Sequence, residues 1–382
     1  MYNPRQMNLK IALLTYSTKP RGSVVHTLEL ADALYQLGHN PCVFALDKDG
    51  SGFHRSTRFS TCAVPAQPCY GNTDQLIEQR VSEFVQFFQD YALTYDIYHA
   101  QDCLSANALA ILKDQGRISH FVRTVHHIES FRSVYLQACQ EKSLYQPDRC
   151  LCVSQLWQDV LKADYGIDAF RVSNGVSDRF SPILDGSEAD LARSLGLGSG
   201  PIYLTVGGIE PRKNSINLLR AFAKVRQNQP QAQLIIAGGA TLFDYQDYRT
   251  QFMAIADTLD LGDGLLLPGV VADEAMPALY RLASGFVFPS IKEGWGLVVM
   301  EAIASGLPVV TSHQAPFTEF LTAANAWLVD PYNTEAIASA MLEMTAQETA
   351  LEIAAPPKTP PLLPTWLASA RQHLNLYHQL IS

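Results

Sequence analysis

The chain is short of several things, and each shortage removes a class of function. Its 28 lysines and arginines are outnumbered by 37 aspartates and glutamates, a net charge of −9. No basic tract interrupts it, and nucleic-acid phosphates are bound by cationic side chains in excess, so the balance argues against a nucleic-acid partner. Nowhere do about 18 apolar residues run together, the length that a membrane-spanning helix needs. The opening stretch from Met1 to Lys10 leads into an apolar run too brief for the core of a secretion signal, so a cytoplasmic protein is expected. The second half has no cysteine. All seven (Cys42, Cys62, Cys69, Cys103, Cys139, Cys150 and Cys152) lie in the first half, and an odd number without an export signal implies free thiols. Cys150 and Cys152 are the one close pair. Lacking Cys-x-x-Cys spacing, they are expected to act as small buried hydrophobes. The first strand-to-helix loop, 16–22, lacks Gly-x-Gly-x-x-Gly, and only Asp47 stands near a ribose-binding position after the second strand, which is weak support for a dinucleotide oxidoreductase.

What is present suits two cores. At 382 residues, 47% hydrophobic and 17% charged, the chain is long enough for two domains of about 180 residues each. Buried-strand runs alternate with helical periodicity throughout. In the first half strands are expected at 10–15, 41–46, 97–102, 121–127 and 149–154, with helices from about 23, over 74–95 and from about 104. In the second half strands are expected at 201–208, 233–239, 265–270, 285–289 and 308–311, with Glu319 and 327–330 continuing the sheet edge. Helices are expected at 216–227, 245–259, 273–282, 297–305 and 366–381. The stretch 185–200 reads as polar surface, and 354–364 as an extended proline-rich linker. The alternation predicts an α/β protein of two doubly wound, Rossmann-like domains facing across a cleft, at 1–180 and 181–355, with the linker and a last helix at 356–382.

The chemistry concentrates at 285–306. An apolar strand leads through Glu293-Gly294-Trp295-Gly296 into the helical run from Leu297, which ends at Gly306. Such a junction aims unbonded backbone N–H groups and the positive end of a helix dipole at one point, where a phosphate can sit. Gly294 and Gly296 allow close approach. Glu301 is the one ionisable residue between Gly296 and Gly306, and a carboxylate in apolar surroundings needs partners for its oxygens. Ligand hydroxyls would serve, as would a Lys, an Arg or a backbone amide. Arg212 and Lys213, between a strand end and a helix start, could hold a diphosphate together with amides, or could be solvated surface charges. His126 and His127 close a strand at the edge where open α/β sheets bind ligands. No metal is expected there, because His26, His99 and His120 have no ligand spacing to the pair. Asp102 is expected either to cap the helix that follows it or to sit in the turn before it.

Glu-x7-Glu after Phe-Pro-Ser, followed by Glu-Ala-Ile-Ala-Ser-Gly-Leu-Pro-Val-Val, resembles the signature of retaining GT-B glycosyltransferases of family 4. The resemblance implies that Glu293 meets hydroxyls of the donor sugar and Glu301 the ribose. It also implies that the backbone of Gly294, Trp295, Gly296, Leu297 and Val298 holds the diphosphate, that Gly22 lies in a loop near it, and that His126 approaches the sugar. Lys213 matches a family cation. Gly208 stands where the family usually has an Arg, and Arg212 is the candidate replacement. The segment 269–271 would border the base, and the last helix would pack on the first domain. The implied activity is transfer of a sugar from a UDP-, GDP- or ADP-sugar to a small-molecule or glycan acceptor, with retention and with no cofactor or essential metal. The helix at 74–95 has an aromatic stripe but no basic face, which favours a soluble acceptor over a lipid surface. A nucleotide-sugar hydrolase or epimerase on the same fold, or a nucleotide-sugar-binding protein without turnover, are the alternatives.

Overall fold

The computed structural model describes residues 8–91, 94–239, 245–346 and 361–381. The boundary expected at 355 and most of the proline-rich stretch fall outside these residues. The described chain forms two compact units, Met1–Gly175 with Pro364–Ser382, and Val176–Leu363.

Unit 1 is built on a seven-stranded, all-parallel sheet. Its elements are β1 (Lys10–Thr15), α1 (Gly22–Gln36), β2 (Asn40–Asp47), β3 (Ser60–Pro65), α2 (Thr73–Asp90), β4 (Ile97–Ala100), α3 (Cys103–Asp114), β5 (Val122–Val125), α4 (Val134–Tyr145), β6 (Arg149–Cys152), α5 (Gln155–Tyr165) and β7 (Phe170–Arg171). The strand order is β3-β2-β1-β4-β5-β6-β7, so the chain leaves β1 in one direction and returns to its other side at β4. Parallel strands covered on both faces are continuously apolar, and β1, β2, β4 and β5 are buried along nearly their whole length. The helices start on side chains that accept from their first turn: Asn72 with Gln75 for α2, Asp102 with Ser105 for α3, Ser133 for α4 and Ser154 for α5.

Unit 2 has a six-stranded parallel sheet. Its elements are α6 (Glu188–Leu195), β8 (Ile202–Val206), α7 (Ser215–Asn228), β9 (Gln233–Ala237), α8 (Gln246–Thr258), β10 (Leu265–Gly269), α9 (Met276–Leu282), β11 (Gly285–Phe288), α10 (Leu297–Ala304), β12 (Val309–Ser312), β13 (Trp327–Val329) and α11 (Thr334–Ala346). The order is β10-β9-β8-β11-β12-β13. Successive strand residues feed opposite faces. Tyr203, Leu234 and Val287 join Phe222, Phe252 and Met341 in one core, while Leu204, Ile235 and Phe286 join Val299, Ile303 and Phe317 in the other. The last helix, α12 (Trp366–Ile381), belongs to unit 1 and packs on α1. A side chain at Gly175 would overlap the backbone of Trp366, so glycine there permits the close seating of α12.

Several expectations shift. The stretch 185–200 is not featureless surface but holds α6, whose Glu188, with Asp185, pairs with Arg281 of α9. Glu319 closes a 3-10 turn, Phe317–Glu319, rather than extending the sheet. The helix expected at 74–95 ends at Asp90, and His126 and His127 lie just past β5 rather than on it. Strands β3 and β7 and helices α4, α5 and α11 carry no sequence-based expectation.

Candidate functional site

In unit 2 the connections diverge between β8 and β11, and open α/β sheets bind ligands beyond the carboxyl ends of strands at such a switch point. Two loops leave there. The one after β8 turns through Gly207 and Gly208 into a 3-10 turn, Pro211–Lys213, and the one after β11 runs from Pro289 to Gly296. They are laced together: the Ile291 amide donates to the Arg212 carbonyl at 2.8 Å, and the Asn214 side chain donates to the Pro289 carbonyl at 3.1 Å. Asn214 holds a left-handed φ of 61° that begins α7, a conformation Asn tolerates better than most residues.

This lacing brings three sequence-predicted residues to one atom. Glu293 Oε1 lies 2.6 Å from Lys213 Nζ, 3.0 Å from Arg212 Nη1 and 2.9 Å from Ser290 Oγ. Arg212 also pairs with Glu210 at 2.9 Å, and Lys213 Nζ sits 4.4 Å above the Phe288 ring. Burial alone would raise the pKa of Glu293, but the two cations, with the hydrogen bonds from Lys213 and Ser290, outweigh it and bring the carboxyl down to about 2. Burial pulls the Lys213 ammonium below its ordinary value in spite of Glu293. Of the two readings of Arg212 and Lys213, solvated surface charges is therefore incorrect, since both are drawn into the strand-edge cluster.

Beside the cluster α10 begins. Its cap, Gly296, has φ 109°, and a Cβ there would lie 2.7 Å from the Phe317 ring, so the position takes glycine on both counts. The first helical bonds run from Val299 and Met300 back to the Gly296 carbonyl, which leaves the N–H groups of Leu297 and Val298 without an intrahelical acceptor. The Trp295 side chain turns inward, stacked on Phe320 at 4.8 Å with Nε1 donating to Met300 Sδ, so only its backbone is available to a ligand. Glu301 is half-buried one turn in, and its Oε2 accepts from the buried Tyr280 hydroxyl at 2.8 Å. Burial and the Glu301 charge hold the Tyr280 phenol well above its ordinary pKa, so it stays a donor.

In unit 1 the corresponding switch lies between β1 and β4. Gly22 opens α1, and a Cβ there would meet nothing within 4 Å, so packing does not demand glycine. Asp102 caps α3, and burial pushes its carboxyl up to about 6. His127 turns outward to Glu129 at 2.9 Å. His126 turns inward, with Nε2 3.2 Å from Gln101 Oε1 and its ring edge-on to His26 at a centroid distance of 4.7 Å. His373 of α12 lies 6.1 Å from His26 and 5.7 Å from His99, which completes a cluster of four histidines. Burial keeps all four below the ordinary imidazole value, His126 at about 3 and His373 at about 4. Among the described residues no group of three or more His, Cys, Asp or Glu has the arrangement of a metal site, and no helix is long and apolar enough to cross a membrane.

Two family models divide the chain between them: glycosyl transferases group 1 matches residues 188–355, and glycosyltransferase family 4 matches 20–180. The chain belongs to this glycosyltransferase family. Mannosylfructose-phosphate synthase of Agrobacterium fabrum is 30% identical to the family 4 chain over 203 residues, 51% of the chain and 44% of that protein's length. Alpha-monoglucosyldiacylglycerol synthase of Streptococcus pneumoniae is 26% identical over 88% of the chain and 78% of its own length. Among solved structures, sucrose-phosphate synthase from Thermosynechococcus elongatus superposes with a TM-score of 0.77 at 24% identity, covering 97% of this chain and 99% of that one. HepE from Anabaena in complex with UDP-glucose gives 0.71 at 21% identity, covering 98% of each. The fold is GT-B.

Sequence reasoning did not single out Ser290, Tyr280 or Gln101, though each touches a residue it did, nor Asn214, which ties the two loops together. Ser290 was within reach, as the serine of Phe-Pro-Ser. Tyr280 and Gln101 act across the tertiary fold on Glu301 and His126, and no local pattern marks them.

Proposed function

We propose that this glycosyltransferase moves a sugar from a nucleoside diphosphate donor to a soluble hydroxyl acceptor, a small molecule or a glycan, with retention at the anomeric carbon. The observation that carries the reading is the meeting of Lys213, Arg212 and Glu293 on one oxygen atom, beside the unbonded amides of Leu297 and Val298. A diphosphate on those amides would draw the two cations to itself, with Arg212 standing in for the arginine that the family usually carries at position 208. Glu293, released from them, would turn to the sugar hydroxyls, and Glu301, steadied by Tyr280, would take the ribose. His126 of unit 1 carries the family's sugar-contact assignment. Val270, exposed beside Gly269, carries its base-side assignment.

The chemistry asked of these residues is stabilisation of the charge that grows on the departing diphosphate. Preorganised donors of this kind are worth about 10²–10³-fold in rate each. With two side-chain cations and helix-end amides supplying it, no metal is required. No unit 1 carboxylate is assigned as nucleophile, so same-face attack, the leaving diphosphate taking the acceptor proton, is the mechanism proposed. HepE with bound UDP-glucose is a precedent for the donor class. The soluble acceptor is supported by α2, whose aromatic stripe is turned into the core, with Phe84 and Phe88 fully buried.

Thermal-shift measurements with UDP-, GDP- and ADP-sugars on the wild type and on Glu301→Ala test this. One nucleotide series should stabilise the wild type by about 2.7 kcal/mol at a hundredfold excess over Kd and lose its effect in the variant. NMR of the product should then show the donor's own anomeric configuration. If no series shifts the wild type, the reading fails. A shift without turnover on any acceptor marks a binding protein instead.

A further inference from the structure

The four-histidine cluster contains a polar chain that ends on His126. It starts at Tyr377 of α12, whose hydroxyl lies 2.6 Å from His99 Nδ1. His99 Nε2 in turn lies 2.8 Å from Thr124 Oγ1 and 3.3 Å from Gln101 Nε2, and Gln101 Oε1 lies 3.2 Å from His126 Nε2. Tyr377, His99, Thr124 and Gln101 are buried almost without exposed surface, while His126 is partly accessible.

Hydrogen-bond valence assigns the protons along this chain. His99 Nε2 faces the Gln101 amide N–H, which can only donate, so it accepts, the Thr124 hydroxyl can turn its own proton the same way, and the His99 proton sits on Nδ1, donated to Tyr377. Gln101, with its NH2 turned to His99, presents its carbonyl to His126. A carbonyl only accepts, so His126 must carry its proton on Nε2, with Nδ1 left as a bare lone pair. His26, edge-on to the same ring, holds its plane; His26 Nδ1 is itself fixed by Asn174 Oδ1 at 2.9 Å. We propose that Tyr377, His99 and Gln101 are positioning residues that hold His126 in the Nε2–H tautomer, so that the last helix sets which nitrogen of this histidine can accept from a sugar hydroxyl. Its role in the reaction rests on the assignment of His126 under the proposed function, but the tautomer does not. Burial holds His126 neutral, so the relay acts on an imidazole and not on an imidazolium.

The experiment is nitrogen-15 NMR on histidine-labelled, donor-free protein, with His126 assigned by its loss in His126→Gln. The wild type should show a protonated Nε2 and a bare Nδ1. In Gln101→Met, and in the near-isosteric Tyr377→Phe, the His126 nitrogens should move toward averaged shifts, with kcat reduced about tenfold, the equivalent of one hydrogen bond. Gln101→Glu, which loses the donor to His99 but keeps an acceptor facing His126, should keep the His126 proton on Nε2, a rescue that a merely structural role would not produce. An Nδ1–H His126 in the wild type, or an unmoved tautomer in both Gln101→Met and Tyr377→Phe, overturns the relay. A changed tautomer with unchanged kcat overturns its part in the reaction. If the wild type transfers no sugar, the proposed function fails on its own, and the nitrogen shifts still decide the relay.

Discussion

Lys213 and Glu293, 80 residues apart in the chain, meet at 2.6 Å at the carboxyl edge of the unit 2 sheet, with Arg212 on the same carboxylate oxygen. Lys213 is the more enclosed of the two cations, its side chain 13% exposed against 30% for Arg212, which also has Glu210.

Removing Lys213 should therefore cost more than removing Arg212. Lys213→Ala leaves Glu293 buried with one cation fewer, and is expected to destabilise unit 2 by about 3 kcal/mol, the scale of a broken buried pair. Turnover should fall by about 10²–10³-fold. Arg212→Ala should lose less of both. Urea unfolding and initial rates on the two variants check the order, and equal losses would contradict it.

Tyr280→Phe deletes one donor to Glu301 and changes little else in volume. Donor affinity should weaken by about 1–1.5 kcal/mol, roughly tenfold in Kd, if Glu301 binds the ribose through an orientation that Tyr280 sets. Calorimetric titration of the nucleoside diphosphate measures this directly.

Gly296→Ala combines a backbone strain at φ 109° with a contact on the Phe317 ring. The expected cost is about 2–4 kcal/mol in unit 2, accompanied by loss of donor binding as the α10 amides are displaced. Far-UV circular dichroism during urea unfolding gives the first, and the thermal-shift panel the second.

The histidine cluster makes unit 1 acid-sensitive. In the unfolded chain each imidazole titrates near 6.5. In the folded chain burial holds all four lower; neighbouring histidines reinforce this at His26 and His99, and His127, Arg123 and His373 at His126. Below about pH 6.5 the unfolded state thus binds more protons than the native one, and stability falls with pH until the native values near 4 and 3 are reached. Each histidine adds up to about 1.4 kcal/mol per pH unit in that window. The urea midpoint of unit 1 should drop from pH 7.5 to pH 5, and His373→Leu should reduce the slope by about one proton.

What was legible in the chain was what local pattern records. The strand, glycine turn and helix at 285–306 lie where apolar runs and glycine spacing put them, and Lys213 and Glu293 each stood out beside a strand end. The partnership between them did not, because it needs β8 and β11 to be neighbours across a crossover of some eighty residues. Strand β3 escaped because an edge strand reading Ser-Thr-Cys-Ala-Val-Pro is largely exposed. Helix α4 escaped because its few buried residues, Leu136, Cys139, Ser143 and Leu144, make no broad apolar stripe. The contact of His99 with Tyr377, 278 residues away, has no local trace at all.

The seating of α12 on unit 1 has a consequence for biosynthesis. Residues 364–382 belong with Met1–Gly175, so the first unit to be translated lacks Trp366, His373 and Tyr377 while the whole of the second is being made. Unit 2 can close its core as it leaves the ribosome. The α1 face of unit 1 is covered only once α12 has been made, so until then it is the apolar surface that a chaperone or a protease would meet.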